Sequence, residues 1–189
     1  QTQLTIAKNM RTAGQIDWII VMVHKSWFNL LGSNPAYVQA RHTYATMFND
    51  AQVDFVFHGH NHSYAIWRPI VAIPGDNENT SAQSLFTMAS DGTTYDMSKQ
   101  HGAFYIINGN GGHEINAWGE DPADFPNVIY ANDQDFGYTV LDLQGKQATI
   151  TAKDVTGAVL ATFRATRGTD TTTTTFAACL LYTSDAADD

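Results

Sequence analysis

Two short apolar runs, residues 17–23 and 53–57, are each followed at once by a histidine, His24 and His58. The first, Asp17-Trp18-Ile19-Ile20-Val21-Met22-Val23, is continuous after its opening carboxylate, as in a strand buried on both faces. The second, Val53-Asp54-Phe55-Val56-Phe57, runs into His58-Gly59-His60-Asn61-His62-Ser63-Tyr64. Between them lies a loop, residues 25–35, containing Trp27, Phe28, Gly32 and Pro35. Tyr37, Ala40, Tyr44, Met47 and Phe48 then recur with a period of about 3.6, which predicts an amphipathic helix started by Asn34-Pro35 and closed by Asn49-Asp50. Strand, loop, helix and strand in this span fit a right-handed parallel crossover. Parallel strands place their C-terminal ends on one sheet edge. Topology alone therefore brings His24 to His58, His60 and His62.

The remainder reads as smaller elements around that crossover. Leu4, Ala7 and Met10 sit at helical spacing ahead of Gly14. Residues 66–73 and 85–88 are strand-like, separated by a loop with Pro74-Gly75-Asp76-Asn77. Residues 103–107 form another apolar run, which ends in Asn108-Gly109-Asn110-Gly111-Gly112-His113-Glu114. An acidic loop is expected over 119–135. Strands over 136–143, 148–152 and 158–163 follow, joined by the hairpin signals Gln144-Gly145-Lys146 and Asp154-Val155-Thr156-Gly157. From Thr166 the composition turns Thr-rich, which predicts a linker over 166–178. Residues 179–189 resemble the conceptual translation of a transposon adapter used in sequencing libraries. Cys179 is therefore left out of any redox argument.

Composition narrows the functional classes. The 189 residues suffice for one domain with a core, and a hydrophobic content of 43% fits a globular chain. No run reaches the roughly 18–20 apolar residues of a membrane helix, and the opening residues lack the pattern of a signal peptide. Residues 1–70 carry five Lys/Arg against three Asp/Glu, whereas residues 71–189 carry five against sixteen. The histidine-bearing part is thus the less acidic one, which suits an anionic ligand. No basic stripe supports nucleic-acid binding. With a single cysteine, neither a disulfide framework nor a zinc–thiolate site forms within the chain.

Imidazoles ligate zinc, iron and manganese, and two histidines at i and i+2 face different ions where the chain turns between them. Gly59 is the cheapest place for such a turn. Two ions about 3.5–4 Å apart activate water and hold both oxygens of a phosphoester displacement. His60 and His62 are the candidate ligands, with His24 arriving from the neighbouring strand. The plainer readings stand beside this one. His58 lies in strand register and suits a packed position behind the ligands, with Asn61 and Tyr64 as further supporting or substrate-side candidates. His42 reads as solvated on its helix, and His101 and His113 as surface residues in glycine-containing loops. No predicted helix follows Asn108–Gly112, so a tight turn fits that stretch better than a phosphate cradle.

The segments Val21-Met22-Val23-His24-Lys25-Ser26-Trp27-Phe28 and 53–64 resemble the C-terminal half of calcineurin-like metallophosphoesterases, specifically the purple acid phosphatase group. The helix between them, the run 104–112 and Phe136-Gly137-Tyr138 extend the resemblance over roughly residues 1 to 165. It implies an α/β (α+β) fold, the C-terminal half of a two-sheet sandwich flanked by helices and ending in antiparallel strands. It implies two metal ions (Fe, Zn or Mn), with His24 and His60 on one and His62 on the other. The implied activity is hydrolysis of small-molecule phosphomonoesters by metal-activated water, in a secreted or periplasmic protein. Three departures qualify it. The aspartates, tyrosine and asparagine–histidine element of the family's N-terminal half are not in this sequence. The loop after His24 lacks the substrate-side histidines of plant-type members. Ala65-Ile66-Trp67-Arg68 follows Tyr64 without the usual adjacent charge. The isolated chain is accordingly expected to bind metal weakly and turn over little. Two other readings are a different calcineurin-like phosphodiesterase or nucleotidase, and a non-enzymatic β-rich surface module whose histidines are structural.

Overall fold

The crossover read from the two histidine-ended runs is present. In the computed structural model, which describes residues 2–30, 35–71, 87–88, 94–98, 102–168 and 175–179, strand β1 (Ile20–Val23) pairs in parallel with β2 (Phe55–His58). Helix α2 (Pro35–Ala51) connects them. Val23 stands opposite His58 in the register, and the Gly59 N–H donates to the His24 carbonyl at 3.0 Å. Helix α1 (Thr2–Thr12) precedes this unit and carries Arg11 in its last turn.

Strand β2 continues in parallel to β6 (Ala103–Asn108), which pairs antiparallel with β3 (Tyr64–Ile70), itself antiparallel to β7 (Val128–Asn132). The resulting sheet has the order β1-β2-β6-β3-β7. The second sheet is built on the two hairpins linking β8 (Gly137–Gln144), β9 (Gln147–Asp154) and β10 (Val159–Thr166). Strands β4 (Thr87–Met88) and β5 (Thr94–Asp96) extend it on one side, and β11 (Thr175–Cys179) pairs with β8 on the other.

Alternation along the strands explains the layering. One face of the first sheet, with Phe55, Phe57, Tyr64, Ile66, Phe104 and Ile106, packs on Leu141, Ala148, Ile150 and Ala152 of the second. The opposite face, with Val56, Ala65, Trp67, Tyr105 and Ile107, packs beneath Ala45, Phe48 and Ala51 of α2. The two-sheet sandwich flanked by helices is therefore the observed architecture.

Two sequence expectations are corrected. Strand β1 is not buried on both faces: it edges the sheet, and Met22 is 52% exposed. The acidic stretch 119–135 is not all loop, because a 3-10 turn (Pro122–Asp124) leads into β7. The 74–77 loop lies outside the described residues. Among the described residues, no helix is long and apolar enough to cross a membrane.

Candidate metal centre

The C-terminal ends of β1 and β2 bring two imidazoles into direct register. His60 Nδ1 lies 3.3 Å from His24 Nε2, with the rings edge-to-face and their centres 5.1 Å apart. Two nitrogens bound to one tetrahedral ion, each at about 2.0–2.1 Å, lie roughly 3.3–3.4 Å apart. The pair fits two donors of such a set. The same spacing also suits one imidazole N–H donating to the other's lone pair, which is how the rings are satisfied without an ion.

His60 reaches this position through a strained backbone. Its φ is 63°, in the left-handed region that non-glycine residues rarely occupy. Gly59 was the expected turning point, but the positive φ falls on His60 itself. Gly59 instead ties the end of β2 to β1 through its bond to the His24 carbonyl.

The loop after His24 is a buried platform. Ser26, Trp27, Phe28, Asn29 and Leu30 are all buried, and Arg41 of α2 donates to the Trp27 carbonyl at 3.1 Å. Trp27 stacks on Tyr44 at 5.0 Å and meets the edge of His58. His24 itself is exposed at the end of this platform.

His58 occupies the packed position its strand register suggested. Its Nδ1 lies 3.0 Å from the Lys25 carbonyl, which only accepts, so Nδ1 carries the proton. The bare Nε2 is buried with no hydrogen-bond partner. Burial pushes the pKa down to about 3, with the Lys25 bond acting the other way, and the ring is neutral at ordinary pH. His58 thereby fixes the backbone next to His24. Met22, Val23, His24, Phe57, His58, Gly59 and Asn108 line a cavity of about 180 Å³ at this sheet edge.

His62 stands apart from the His24–His60 pair. Its ring centre lies 4.2 Å from that of His113, and its backbone N–H donates to Asn116 Oδ1 at 3.0 Å. The sequence thus suggested one convergence point, whereas the structure forms two histidine pairs. Among the described residues, no group of three or more His, Cys, Asp or Glu gathers to hold an ion. Asn61 is buried, with its side-chain amide nitrogen unpartnered. The Tyr64 phenol is buried between the sheets, 3.1 Å from Thr139 Oγ1, and that hydroxyl lies 2.8 Å from Asn108 Oδ1. One proton per hydroxyl makes Thr139 the donor to Asn108 and the acceptor from Tyr64. Burial raises the Tyr64 pKa further above its ordinary value. His42 lies in α2, its side chain outside the described set, and His101 is outside the described residues.

The contact between His62 and His113 was missed at the sequence level. Its signal is tertiary: Gly109 packs so closely on Asn61 that an added Cβ would come within 2.0 Å of the Asn61 carbonyl oxygen.

Comparison with known proteins identifies the fold. The chain is 24% identical over 148 residues to purple acid phosphatase 19 of Arabidopsis thaliana, covering 77% of this chain and 34% of that protein. It is 26% identical over 134 residues to purple acid phosphatase 5 of the same plant, covering 68% and 30%. A purple acid phosphatase from yellow lupin (Lupinus luteus) seeds superposes with a TM-score of 0.61 at 19% identity, over 86% of this chain and 27% of that one. The fold is that of a purple acid phosphatase. GAP50, the anchor in the inner membrane complex of Plasmodium, shares it with a TM-score of 0.54 at 16% identity, over 88% of this chain and 42% of its own. No family model matches. The chain spans about a third of the length of the curated purple acid phosphatases it matches.

Proposed function

We propose that the chain is the C-terminal part of the catalytic domain of a binuclear-metal phosphoesterase that hydrolyses small phosphomonoesters. The observation that carries this reading is the 3.3 Å approach of His24 Nε2 and His60 Nδ1 at the ends of adjacent parallel strands in a purple acid phosphatase fold. In this reading His24 and His60 hold one ion and His62 the other, the ions being iron, zinc or manganese. When bound, such a pair supplies activated water and neutralises charge on the phosphoryl oxygens.

The chain's own residues orient and support. The buried platform 26–30 and the His58–Lys25 bond fix where His24 stands. The strained turn at His60 aims its ring at His24. Three imidazoles do not complete two ion sites, so carboxylates from further chain are required and the isolated chain is inactive. Export from the cell belongs to the same proposal.

The test joins the chain to its upstream coding sequence and measures metal-dependent hydrolysis of a generic phosphomonoester. His60→Ala is expected to lower kcat/KM by more than about 100-fold, beyond the loss typical of residues that only support a ligand. Turnover indifferent to His60→Ala, or no turnover of any phosphoester, would overturn the reading.

A further inference from the structure

We infer that the open edge of β1 receives a parallel β-strand from polypeptide preceding α1, so that this edge, α1 and the groove between them form one docking surface for an upstream part of the same protein. This rests on the proposed function, in which the chain is the C-terminal part of a longer catalytic domain, and adds where the rest attaches.

The chemistry of the strand is the first argument. Among the described residues β1 has a partner on one side only, β2. The Ile19 N–H donates to Asp54 Oδ2 at 2.7 Å and its carbonyl accepts from the Asp54 N–H at 2.9 Å, so Ile19 faces β2. Alternation along the strand turns Val21 and Val23 the same way and the peptide groups of Ile20 and Met22 to the open side. Natural sheet edges are blunted by lysine, proline or a bulge. Ile20-Val21-Met22-Val23 carries no charge and no proline, and its register with β2 is unbroken. The Ile20 and Met22 side chains are 37% and 52% exposed, yet the run is as apolar as that of a parallel strand covered on both faces.

Helix placement is the second argument, and it fixes the direction. Leu4 and Ala7 of α1 pack on the same cluster as Ala45 and Phe48 of α2, with Val21 and Val23, so both helices cover one face of the sheet. Arg11 in the last turn of α1 pairs with Asp54, just before β2. Gln3 and Leu4, at the start of α1, line a groove that reaches Val23 and Lys25. Helix α1 therefore runs antiparallel to β1, and the polypeptide enters it from the sheet edge at which a strand parallel to β1 ends. Crossovers between parallel strands are right-handed in about 98% of cases. Helix α2 carries the chain from β1 to β2 over this face. A crossover of the same hand over the same face steps in the same direction, so the strand before α1 lies on the side of β1 away from β2. That side is the open edge.

The surface there suits such an occupant. The groove measures about 730 Å³, and Ile6 and Met10, one turn apart on α1, are exposed apolar residues for the arriving segment to cover. The matched curated phosphatases have about two thirds of their length outside the match, ample to supply a strand.

Residue-resolved amide hydrogen exchange on the protein extended by its upstream coding sequence tests the inference. Ile20 and Met22 are expected to be protected to within about tenfold of Val21 and Val23, whereas in the 189-residue chain they should exchange about 100-fold faster than those two. Met22→Lys is a second measure, which should lower the urea midpoint of the extended protein and leave that of the 189-residue chain unchanged. Fast exchange at Ile20 and Met22 in an extended protein that hydrolyses phosphomonoesters would overturn the inference and leave the proposed function standing. Protection in an extended protein with no turnover would uphold the docking and overturn the hydrolytic reading. Protection confined to concentrations at which sedimentation finds dimers would give the edge to a second copy of the chain, and the inference fails.

Discussion

The two ends of strand β2 carry buried ionisable groups with opposite fates. At the N-terminal end, Asp54 is wholly buried and grips three segments. Its carboxylate takes an ion pair from Arg11 of α1 and another from Arg167 beyond β10, with Arg167 Nε at 2.6 Å and the Ile19 N–H at 2.7 Å. Burial pushes the carboxyl above its ordinary range, opposed by Arg167 and Arg11. At the C-terminal end, His58 is buried and neutral, its Nε2 unpartnered, beside histidines that remain accessible. One end pairs its carboxylate inside the protein, and the other presents accessible imidazoles at the sheet edge. In open α/β sheets ligands bind outside the C-terminal strand ends, which is where the proposed centre lies.

Breaking the first end should have the larger effect. Asp54→Ala leaves two guanidiniums around an emptied site and is expected to cost about 3–5 kcal/mol, the range for removing one partner of a buried ion pair. Urea denaturation measures it. A loss below about 1 kcal/mol would mean that the two arginines are satisfied elsewhere, and the contrast between the ends would weaken.

The second end should instead show itself as pH dependence. The folded His58 takes a second proton only below about pH 3, whereas the unfolded side chain takes one near pH 6.5. Between those values the unfolded state binds more protons, so stability rises with pH and falls as the solution is acidified. The loss between pH 6.5 and pH 5 is expected to reach roughly 1.6 kcal/mol. His58→Phe removes that slope while costing the bond to Lys25. Denaturation midpoints across pH 5–7 would decide, and an unchanged slope in His58→Phe would assign the acid sensitivity to other groups.

Much of this organisation is readable from residues. The apolar runs, the helical period between them and the placement of histidine at both strand ends dictate a parallel crossover and hence the meeting of His24 with His60. The hairpins after residue 136 follow from their turn residues. What escaped depends on distant segments meeting. Asp54 inside an apolar strand gives no hint of Arg11 and Arg167, which lie 43 and 113 residues away. β7 is short and sits among Asp, Pro and Asn residues, so pairing with β3 rather than local pattern makes it a strand. His113 looks like a surface residue until Gly109 and Asn116 are seen to hold its loop against His62. The turn expected at Gly59 moved one residue because Gly59 is engaged with β1, which leaves His60 to take the left-handed angle.

In the proposed centre His24 and His60 share one ion while His62 serves another. Zinc affinity measured calorimetrically on the chain and on His24→Ala, His60→Ala, His24→Ala/His60→Ala and His24→Ala/His62→Ala tests it as a double-mutant cycle. Each of the first two single variants is expected to lose the same site, at least tenfold in affinity. Their double variant should lose no more than one site, whereas His24→Ala/His62→Ala should lose two. Independent, additive losses from His24→Ala and His60→Ala, or unchanged zinc uptake in all variants, would contradict the shared site.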